Sequence, residues 1–274
     1  MSGLDPAIRS YYERRPEETR LARGLSQIEA ARTKELVLRF APDPPATVLD
    51  VGGAAGAYAF WLSARGYTVH LLDPVPRLVA LASERSAASD VPLASAQVGD
   101  ARSLPCADGC AQFLRMLLLL YYFVDPRDLP PVPARAHRAL RPGGVLFAAC
   151  ITRWASLFDG VARDLLADPS FSEIVEEDLR TGTHRNPAEV PGYFTTAYFH
   201  RPEELEAELR AAGFRVEGFF GLEGPACLLG DFEARWADGR RREDLLRAAR
   251  EVEREPALRG LSPHLLGVCR RPVG

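Results

Sequence analysis

Apolar segments of strand length alternate with amphipathic segments over most of the chain. In the amphipathic segments the apolar residues recur every three to four positions, as on one face of a helix. The pattern predicts strands at residues 47–52, 68–73, 94–98, 112–119, 144–151, 214–220 and 264–270. Strands that alternate with helices indicate a mostly parallel sheet with helices on both faces. We therefore predict an α/β fold built on a seven-stranded, doubly wound sheet.

Two segments depart from this alternation. Residues 5–40 predict two helices before the first strand, and residues 152–200 combine a helical piece, an acidic piece and a polar loop. An insertion of that length after a strand commonly forms a lid or a substrate pocket. The chain then divides into a helical cover, a core, a lid and the rest of the core, at residues 1–44, 45–151, 152–200 and 201–274. Within the last part, the pattern predicts a helix at 202–212 and a longer one at about 231–254.

Composition narrows the classes of function. The 274 residues are 47% hydrophobic and 26% charged, as in an ordinary globular protein. The net charge of −3 gives no electrostatic reason to expect a nucleic-acid partner, and no apolar run approaches the ~20 residues that cross a bilayer. Five cysteines without a secretory signal indicate reduced thiols and a cytoplasmic protein. We expect no metal, no membrane association, and a monomer or homodimer acting on a small molecule.

The segment 48–56 is the most informative motif. An apolar strand leads into a loop with the sequence Gly52-Gly53-Ala-Ala-Gly56, and a helix is predicted to follow. The glycines permit positive φ angles and a close approach of a ligand to the backbone. Exposed amides at the start of the helix favour polar or anionic ligand groups. The loop therefore predicts a site for a small molecule with a polar tail.

Carboxylates follow the next two predicted strands. Asp73, about 20 residues after Gly52, is placed to accept two hydrogen bonds from a ribose diol. Asp100 is placed to accept one from the exocyclic amine of adenine, while backbone amides beside it serve a ring nitrogen. All these groups lie at the carboxyl edge of the predicted sheet, where open α/β folds bind ligands.

Two cofactors are candidates for this pattern. A nicotinamide dinucleotide usually requires Gly-x-Gly-x-x-Gly, and the last two of those positions hold Ala54 and Ala57. The spacing of Gly52 and Gly56, with Asp50 before the loop and Asp100 beyond it, favours a cofactor without a pyrophosphate. S-adenosylmethionine has that chemistry, because it joins adenosine to an amino-acid tail.

The chain resembles the class I S-adenosylmethionine-dependent methyltransferases, in particular those that act on small molecules. The first family motif, Asp-x-Gly-x-Gly-x-Gly, matches residues 50–56, with Ala54 in place of the middle glycine. The segments Leu-Leu-Asp-Pro-Val-Pro at 71–76 and Leu-Arg-Pro-Gly-Gly-Val-Leu at 140–146 add to the resemblance, which covers residues 45 to about 150 well. It implies a Rossmann-like fold with S-adenosylmethionine as the cofactor.

The resemblance also implies a set of cofactor-binding residues. Asp50 would help to hold the methionine ammonium, Asp73 the ribose, and Asp100 with Ala101 the adenine. Tyr12 belongs to first helices that close over the cofactor. The implied site comprises Asp50, Gly52, Gly53, Gly56, Asp73, Pro74, Asp100, Ala101, Leu117 and Tyr12.

The residues expected to surround the methyl acceptor match the family pattern less closely. The exit of the fourth predicted strand, Leu118-Leu-Leu-Tyr-Tyr122, places Tyr122 where the subgroup commonly has histidine. His184 and His200 are candidate bases because both flank the lid and imidazole is available as a neutral base near pH 7. We take His184 as the catalytic residue, since His200 directly precedes a helix and can instead cap it. Candidate substrate contacts are Tyr122, Tyr198, His200 and Arg185, although tyrosines beside strands often only pack and Arg185 can be a solvated loop charge.

These observations predict an enzyme that transfers a methyl group from S-adenosylmethionine to an oxygen or nitrogen of a small molecule. Two alternative functions use the same cofactor pocket. In one, the protein binds the cofactor and catalyses a non-methylating reaction. In the other, it only senses the cofactor.

Overall fold

A central sheet organises the computed structural model, which describes residues 5–116 and 131–273. The strands within these ranges are β1 (Thr47–Val51), β2 (Thr68–Asp73), β3 (Ser95–Val98), β4 (Ala111–Met116), β5 (Leu140–Ile151), β6 (Thr183–His184), β7 (Ala197–Tyr198), β8 (Arg215–Gly221) and β9 (His264–Arg270). Seven of them form one sheet in the order β3-β2-β1-β4-β5-β9-β8. The first five are parallel, and β9 runs antiparallel to both of its neighbours. This confirms the predicted seven-stranded, mostly parallel sheet.

Helices join and cover these strands. Those described are α1 (Pro6–Arg14), α2 (Ser26–Phe40), α3 (Ala57–Ser63), α4 (Pro76–Ala87), α5 (Pro131–Ala139), α6 (Ala155–Ala162), α7 (Pro169–Thr181), α8 (Pro202–Ala211), α9 (Phe232–Ala237) and α10 (Gly239–Val252). A 3₁₀ segment, Glu17–Ala22, joins α1 to α2. None of the helices that the structure describes is both long and apolar enough to span a membrane.

Alternate residues of the central strands pack on opposite faces of the sheet, as the pleat requires. On β4, Phe113 belongs to the apolar cluster on one face and Leu114 to the cluster on the other. Phe147 and Leu146 of β5 divide in the same way. A sheet buried on both faces leaves its strand ends as the places where polar groups can gather.

The long helix predicted at about 231–254 is wrong as a single element. The structure divides it into α9 and α10, because Asp238 leaves the helical conformation between them. The Asp238 carboxylate accepts a hydrogen bond of 2.9 Å from the backbone N–H of Arg241, and it thereby caps α10. The apolar pattern continues across this break, so periodicity alone did not reveal it.

The predicted lid contains α6, α7 and the two-stranded ladder of β6 and β7. It begins where β5 ends, at the carboxyl edge of the sheet, and the backbone N–H of His200 donates to the carbonyl of Ile151, the last residue of β5. The segment 152–200 is therefore held against the same sheet edge as the glycine loop.

Candidate active site

Backbone hydrogen bonds join three strand ends in a row. The N–H of Gly52 donates to the carbonyl of Leu72 at 2.7 Å, which links the ends of β1 and β2. The N–H of Gly99 donates to the carbonyl of Asp73 at 3.0 Å, which links the ends of β2 and β3. The structure thus brings the glycine loop, Asp73 and the segment with Asp100 to adjacent positions at one sheet edge.

The glycine loop contains three residues in the left-handed region. Gly52 has a φ of +75° and Gly56 a φ of +84°, and Gly56 directly precedes α3. Ala54, which replaces the middle glycine of the family motif, has a φ of +49°. A side chain in this region costs about 1–2 kcal/mol, so the replacement adds local strain at the loop.

Gly53 is required for a different reason. A Cβ atom on it would lie 2.8 Å from Cγ of Leu71 and 2.9 Å from Oδ2 of Asp50. Distances this short do not occur in folded proteins without a shift of the neighbours. The loop therefore lies directly on β2 and on the Asp50 carboxylate.

Asp73 faces the glycine loop. Its Oδ2 accepts a hydrogen bond of 2.8 Å from the N–H of Ala54, and its Oδ1 accepts one of 2.9 Å from the N–H of Val75. Burial raises the pKa of the Asp73 carboxyl to about 7, against the opposing effect of these two N–H donors. Pro74, between Asp73 and Val75, is half-buried. The predicted contacts with ribose remain predictions.

Asp100 and Ala101 lie beside this pair. The Asp100 carboxylate accepts from Nη2 of Arg102 at 2.7 Å and from the backbone N–H of the same residue at 2.8 Å. The side chain of Ala101 is buried in the apolar cluster with Val51 and Leu104. The predicted contacts of these residues with adenine remain predictions.

The structure adds an ion pair that the sequence patterns did not indicate. Arg115 of β4 lies in register with Asp50 of β1, and its Nη2 donates to Oδ1 of Asp50. Both side chains are buried, and the guanidinium lies 4.1 Å from the ring centroid of Tyr58. Burial raises the pKa of the Asp50 carboxyl, partly offset by Arg115. The contact shown for Asp50 is therefore an internal one, and its predicted contact with a ligand ammonium remains a prediction.

A cavity of about 240 Å³ opens beside this pair. The glycine loop, Tyr58 and Arg115 form one side of it, and the 3₁₀ segment 17–22 forms another. Arg20 of that segment is held by Glu17 and Glu29, each at 2.7 Å. Residues of the 3₁₀ segment and of the glycine loop therefore line the same cavity.

Tyr12 takes part in this cover from α1. Its side chain is buried in a cluster with Val75 and Leu78, against which Ala54 and Ala55 of the glycine loop also pack. Its carbonyl accepts a hydrogen bond of 3.0 Å from Arg77. Two predicted site residues, Leu117 and Tyr122, lie outside the described residues.

His184 lies inside the lid and is paired with Asp178 of α7. Its Nδ1 lies 2.8 Å from Oδ2 of Asp178, which also accepts a hydrogen bond of 2.6 Å from Ser156. Both side chains of the pair are 1% exposed. The imidazole stacks on Phe199 with ring centroids 4.8 Å apart, and Phe194 lies 6.0 Å away. The sequence patterns did not identify Asp178 as a site residue, because it is one of several acidic residues in a predicted acidic segment.

Nε2 of His184 has no hydrogen-bond partner in the described part of the chain, although the atom is buried. An aromatic contact of 5.5 Å between Phe194 and Tyr11 connects the surroundings of this imidazole to α1. The lid and the cover therefore meet beside the candidate base.

The other three predicted acceptor-side residues are not gathered around His184. Tyr198 donates to Glu204 and accepts from Arg153, both at 3.2 Å. His200 is fully buried, with Nε2 3.4 Å from Glu208 of α8. Arg185 is exposed, since it follows His184 in an extended segment where successive side chains point to opposite faces. Their predicted contacts with a substrate remain untested.

One group of side chains with metal-ligand chemistry lies among the described residues. The ligand atoms of Glu29, Glu223 and His264 all lie within 4.8 Å of one another. Glu29 is already paired with Arg20, and Glu223 accepts a hydrogen bond of 3.1 Å from the backbone N–H of His264. These internal partners make the group a buried charge network.

Several observations fit an adenosyl amino acid at this edge. Gly53 provides a loop surface without a side chain, and Asp73 provides a carboxylate beside it. Buried polar atoms of Asp50 and Arg115 lack partners among the described residues. A ligand with both hydroxyl donors and a charged tail would supply groups of the kind that these positions can bind.

Comparison with known proteins agrees with this arrangement. Residues 48–144 match the family model of a methyltransferase domain. The chain is 31% identical over 183 residues to a ubiquinone biosynthesis O-methyltransferase of Xylella fastidiosa, and the match covers 65% of this chain and 64% of that protein. The chain thus spans slightly less than two thirds of the length of this curated relative.

Solved structures show the same fold. An S-adenosylmethionine-dependent methyltransferase from Methanosarcina mazei is similar with a TM-score of 0.58 and 17% identity, over 87% of this chain and 98% of that one. The [4+2]-cyclase SpnF is similar with a TM-score of 0.56 and 19% identity, over 92% and 85%. At these identities the likeness concerns the fold alone.

Residues 48–144 are therefore similar to a methyltransferase domain, and the chain has the fold of known S-adenosylmethionine-dependent methyltransferases.

Proposed function

We propose that this protein transfers the methyl group of S-adenosylmethionine to an oxygen or nitrogen atom of a small molecule. The observation that carries the proposal is the buried His184–Asp178 pair, held at the same sheet edge as the glycine loop. The cofactor, when bound, supplies an electrophilic methyl group on a sulfonium. The protein must then position the acceptor, exclude water and remove the acceptor's proton.

His184 is suited to removing the acceptor's proton. Asp178 accepts a hydrogen bond from Nδ1, so the proton of a neutral imidazole resides there and Nε2 carries the free lone pair. Ser156 donates to the same carboxylate oxygen and helps to fix its position. In this arrangement, Nε2 accepts the proton of an attacking hydroxyl or amine.

The position of His184 also suits transfer from the glycine loop. Its stacking partner Phe199 packs with Ile151, the last residue of β5. In the sheet, β4 lies between β5 and β1, and neighbouring strands are about 4.8 Å apart. The tip of β5 is thus about 10 Å from the tip of β1.

The surroundings of His184 favour a planar, apolar acceptor. Phe194 and Phe199 flank the imidazole, and aromatic rings bind other rings in stacked or edge-to-face geometry. The curated relative is named as an O-methyltransferase, which supports an oxygen nucleophile. A phenolic hydroxyl on a small aromatic compound is therefore our first candidate. Tyr198, His200 and Arg185 remain secondary candidates for contacts with it.

We further propose the four-part organisation at residues 1–44, 45–151, 152–200 and 201–274, with the first and third parts enclosing the substrates. The net charge of −3 supports a small-molecule substrate over nucleic acid. We also propose a cytoplasmic location and a monomeric or homodimeric state.

Substitutions in the His184 pair test the reaction. His184→Gln is expected to lower the rate of methyl transfer by about 10²–10⁴-fold, the usual contribution of a general base. Asp178→Asn is expected to lower it less, because the imidazole remains but loses its fixed orientation. The measurement is the transfer of an isotope-labelled methyl group to small molecules in a cell extract, followed by mass spectrometry.

His70→Gln is the matched control, since His70 lies on β2 and contacts Ser95 at 2.9 Å, away from the lid. An unchanged rate in His184→Gln would contradict the assignment of the base. The same assay separates the alternatives. A non-methylating enzyme would change an extract compound without adding the label, and a sensor would bind the cofactor and consume none.

A further inference from the structure

Arg115 is the most unusual residue of the cofactor side. It is the only charged residue of β4, a strand of the sequence Ala-Gln-Phe-Leu-Arg-Met, and its side chain is 2% exposed. Removing a guanidinium and a carboxylate from water costs several kcal/mol for each ion. An arginine buried beside a glycine loop therefore calls for a role beyond packing.

The hydrogen bonds of Arg115 are incomplete. Its Nη2 is bound by Asp50, whereas Nε and Nη1 have no partner among the residues that the structure describes. Oδ2 of Asp50 likewise has none. Buried donors without partners are costly, and in native proteins each needs an explanation. A bound ligand that accepts hydrogen bonds is one such explanation.

The guanidinium is held in a defined plane. Tyr58 covers one of its faces at 4.1 Å, and Asp50 fixes one end. The side chain lines the cavity together with Gly52 and Gly53. A planar, fixed guanidinium is the side chain best matched to a carboxylate, because its N–H groups form parallel hydrogen bonds to the two oxygens.

Charges of both signs line the rest of the cavity. Glu17, Glu18 and Arg20 line it from the 3₁₀ segment, and Arg85 lines it from α4. A ligand group with a carboxylate and an ammonium would thus find both cations and anions in this cavity. An α-amino acid has this pair of charges on one carbon atom.

We propose that Arg115 binds the carboxylate of the cofactor's amino-acid tail, with Asp50 as the residue that positions the guanidinium. This inference rests on the proposed function, because it takes the ligand of the glycine loop to be an adenosyl amino acid. It revises the role expected for Asp50, which acts from behind Arg115 and not as the ligand of the ammonium.

Calorimetric titration with a ligand series tests the proposal on the wild-type protein. S-adenosylhomocysteine is compared with its decarboxylated counterpart and with 5′-methylthioadenosine, which lacks the amino-acid group. We expect loss of the carboxylate to weaken binding by about 10- to 100-fold, as for a hydrogen-bonded charge. Methylthioadenosine should bind no better than the decarboxylated compound.

Two variants then assign the effect to Arg115. Asp50→Asn combined with Arg115→Gln removes both charges and leaves no unpaired ion, and it should bind S-adenosylhomocysteine and its decarboxylated counterpart with similar affinity. Arg115→Lys retains a charge opposite Asp50 but lacks the planar N–H groups, and it should reduce the discrimination to less than tenfold. The lysine variant keeps the test decisive if the double variant does not fold. Arg247→Gln, at an exposed helical position, is the control and should retain the full discrimination.

The outcomes separate this inference from the function on which it rests. Equal binding of S-adenosylhomocysteine and its decarboxylated counterpart by wild-type protein, or full discrimination between them in Arg115→Lys, would overturn the role of Arg115 alone. A folded wild-type protein that binds none of the three would overturn the cofactor assignment as well.

Discussion

Single residues of the glycine loop are constrained by different neighbours. Gly52 and Gly56 need positive φ angles, whereas Gly53 needs the absence of a Cβ atom. Ala54 shares the left-handed conformation although it is not a glycine. The loop's tolerance of substitution therefore differs from one position to the next.

Gly53→Ala tests the close approach. The added Cβ would press on Leu71 and Asp50, so we expect the free energy of unfolding to fall by about 1–3 kcal/mol and S-adenosylhomocysteine to bind at least tenfold more weakly. Chemical denaturation and calorimetry measure the two effects. Gly230→Ala is the control, since a Cβ there meets nothing within 4 Å. If Gly53→Ala behaved like the control, the loop would be looser than the structure shows.

Asp73 predicts a pH dependence of ligand binding. Its carboxyl has a pKa raised to about 7 by burial, and hydroxyl donors bind the ionised form. Protons and ligand therefore compete, so affinity for S-adenosylhomocysteine should fall as the pH is lowered through 7, approaching tenfold for each further pH unit. Above that range it should level off.

Calorimetric titration over a series of pH values checks this expectation. Asp73→Asn should bind more weakly at neutral pH and lose the dependence near pH 7. Asp90→Asn, at an exposed position, should retain it. The same pH dependence in Asp73→Asn would assign the titration to another group.

Of the two charged site residues Asp73 and Arg115, the sequence alone predicts only Asp73. Asp73 was predicted as a site residue because it stands at a fixed distance after the glycine loop, at the end of the next strand along the chain. The Asp50–Arg115 pair joins residues 65 positions apart, and it depends on the register of two strands that are not consecutive. No local pattern contains that information.

At the scale of elements, one helix end positions the candidate base. α7 ends at Thr181, and Gly182 follows with a φ of +81° as the C-cap. The chain then enters β6, which contains His184, while Asp178 lies in the last turn of α7. The helix end therefore places both members of the pair.

Gly182→Ala tests this dependence. A Cβ atom at this position would lie 2.6 Å from Nη2 of Arg153 and 2.7 Å from the carbonyl oxygen of Phe199. With the cost of a positive φ, we expect a loss of about 2 kcal/mol in stability and a fall in methyl transfer as His184 shifts. Thermal unfolding and the labelled-methyl assay measure these effects, with Gly230→Ala as the control. Unchanged stability and activity would contradict the role of this cap.

Elements with a strong apolar pattern were predicted well, and irregular ones were not. The parallel strands β1 to β4 begin within one residue of their predicted positions. The break at Asp238 and the 3₁₀ segment 17–22 depend on single capping and ion-pair contacts, such as Arg20 with Glu29. Such contacts leave the apolar pattern unchanged, so periodicity does not detect them.

At the scale of the whole molecule, the sheet edge is enclosed from two sides. The N-terminal cover contacts the glycine loop through α1 and the 3₁₀ segment, and the lid contacts α1 through Phe194 and Tyr11. The cofactor tail and the acceptor would approach each other in the space between them. Water exclusion by both parts would favour transfer to the acceptor over hydrolysis.

The most direct test of this account is a crystal structure of the protein with S-adenosylhomocysteine. We predict the ribose hydroxyls at Asp73, the carboxylate of the tail at Arg115, and the sulfur directed towards the side of the edge that holds His184. A ligand bound elsewhere, or one in this cleft with its sulfur turned away from the lid, would contradict the account.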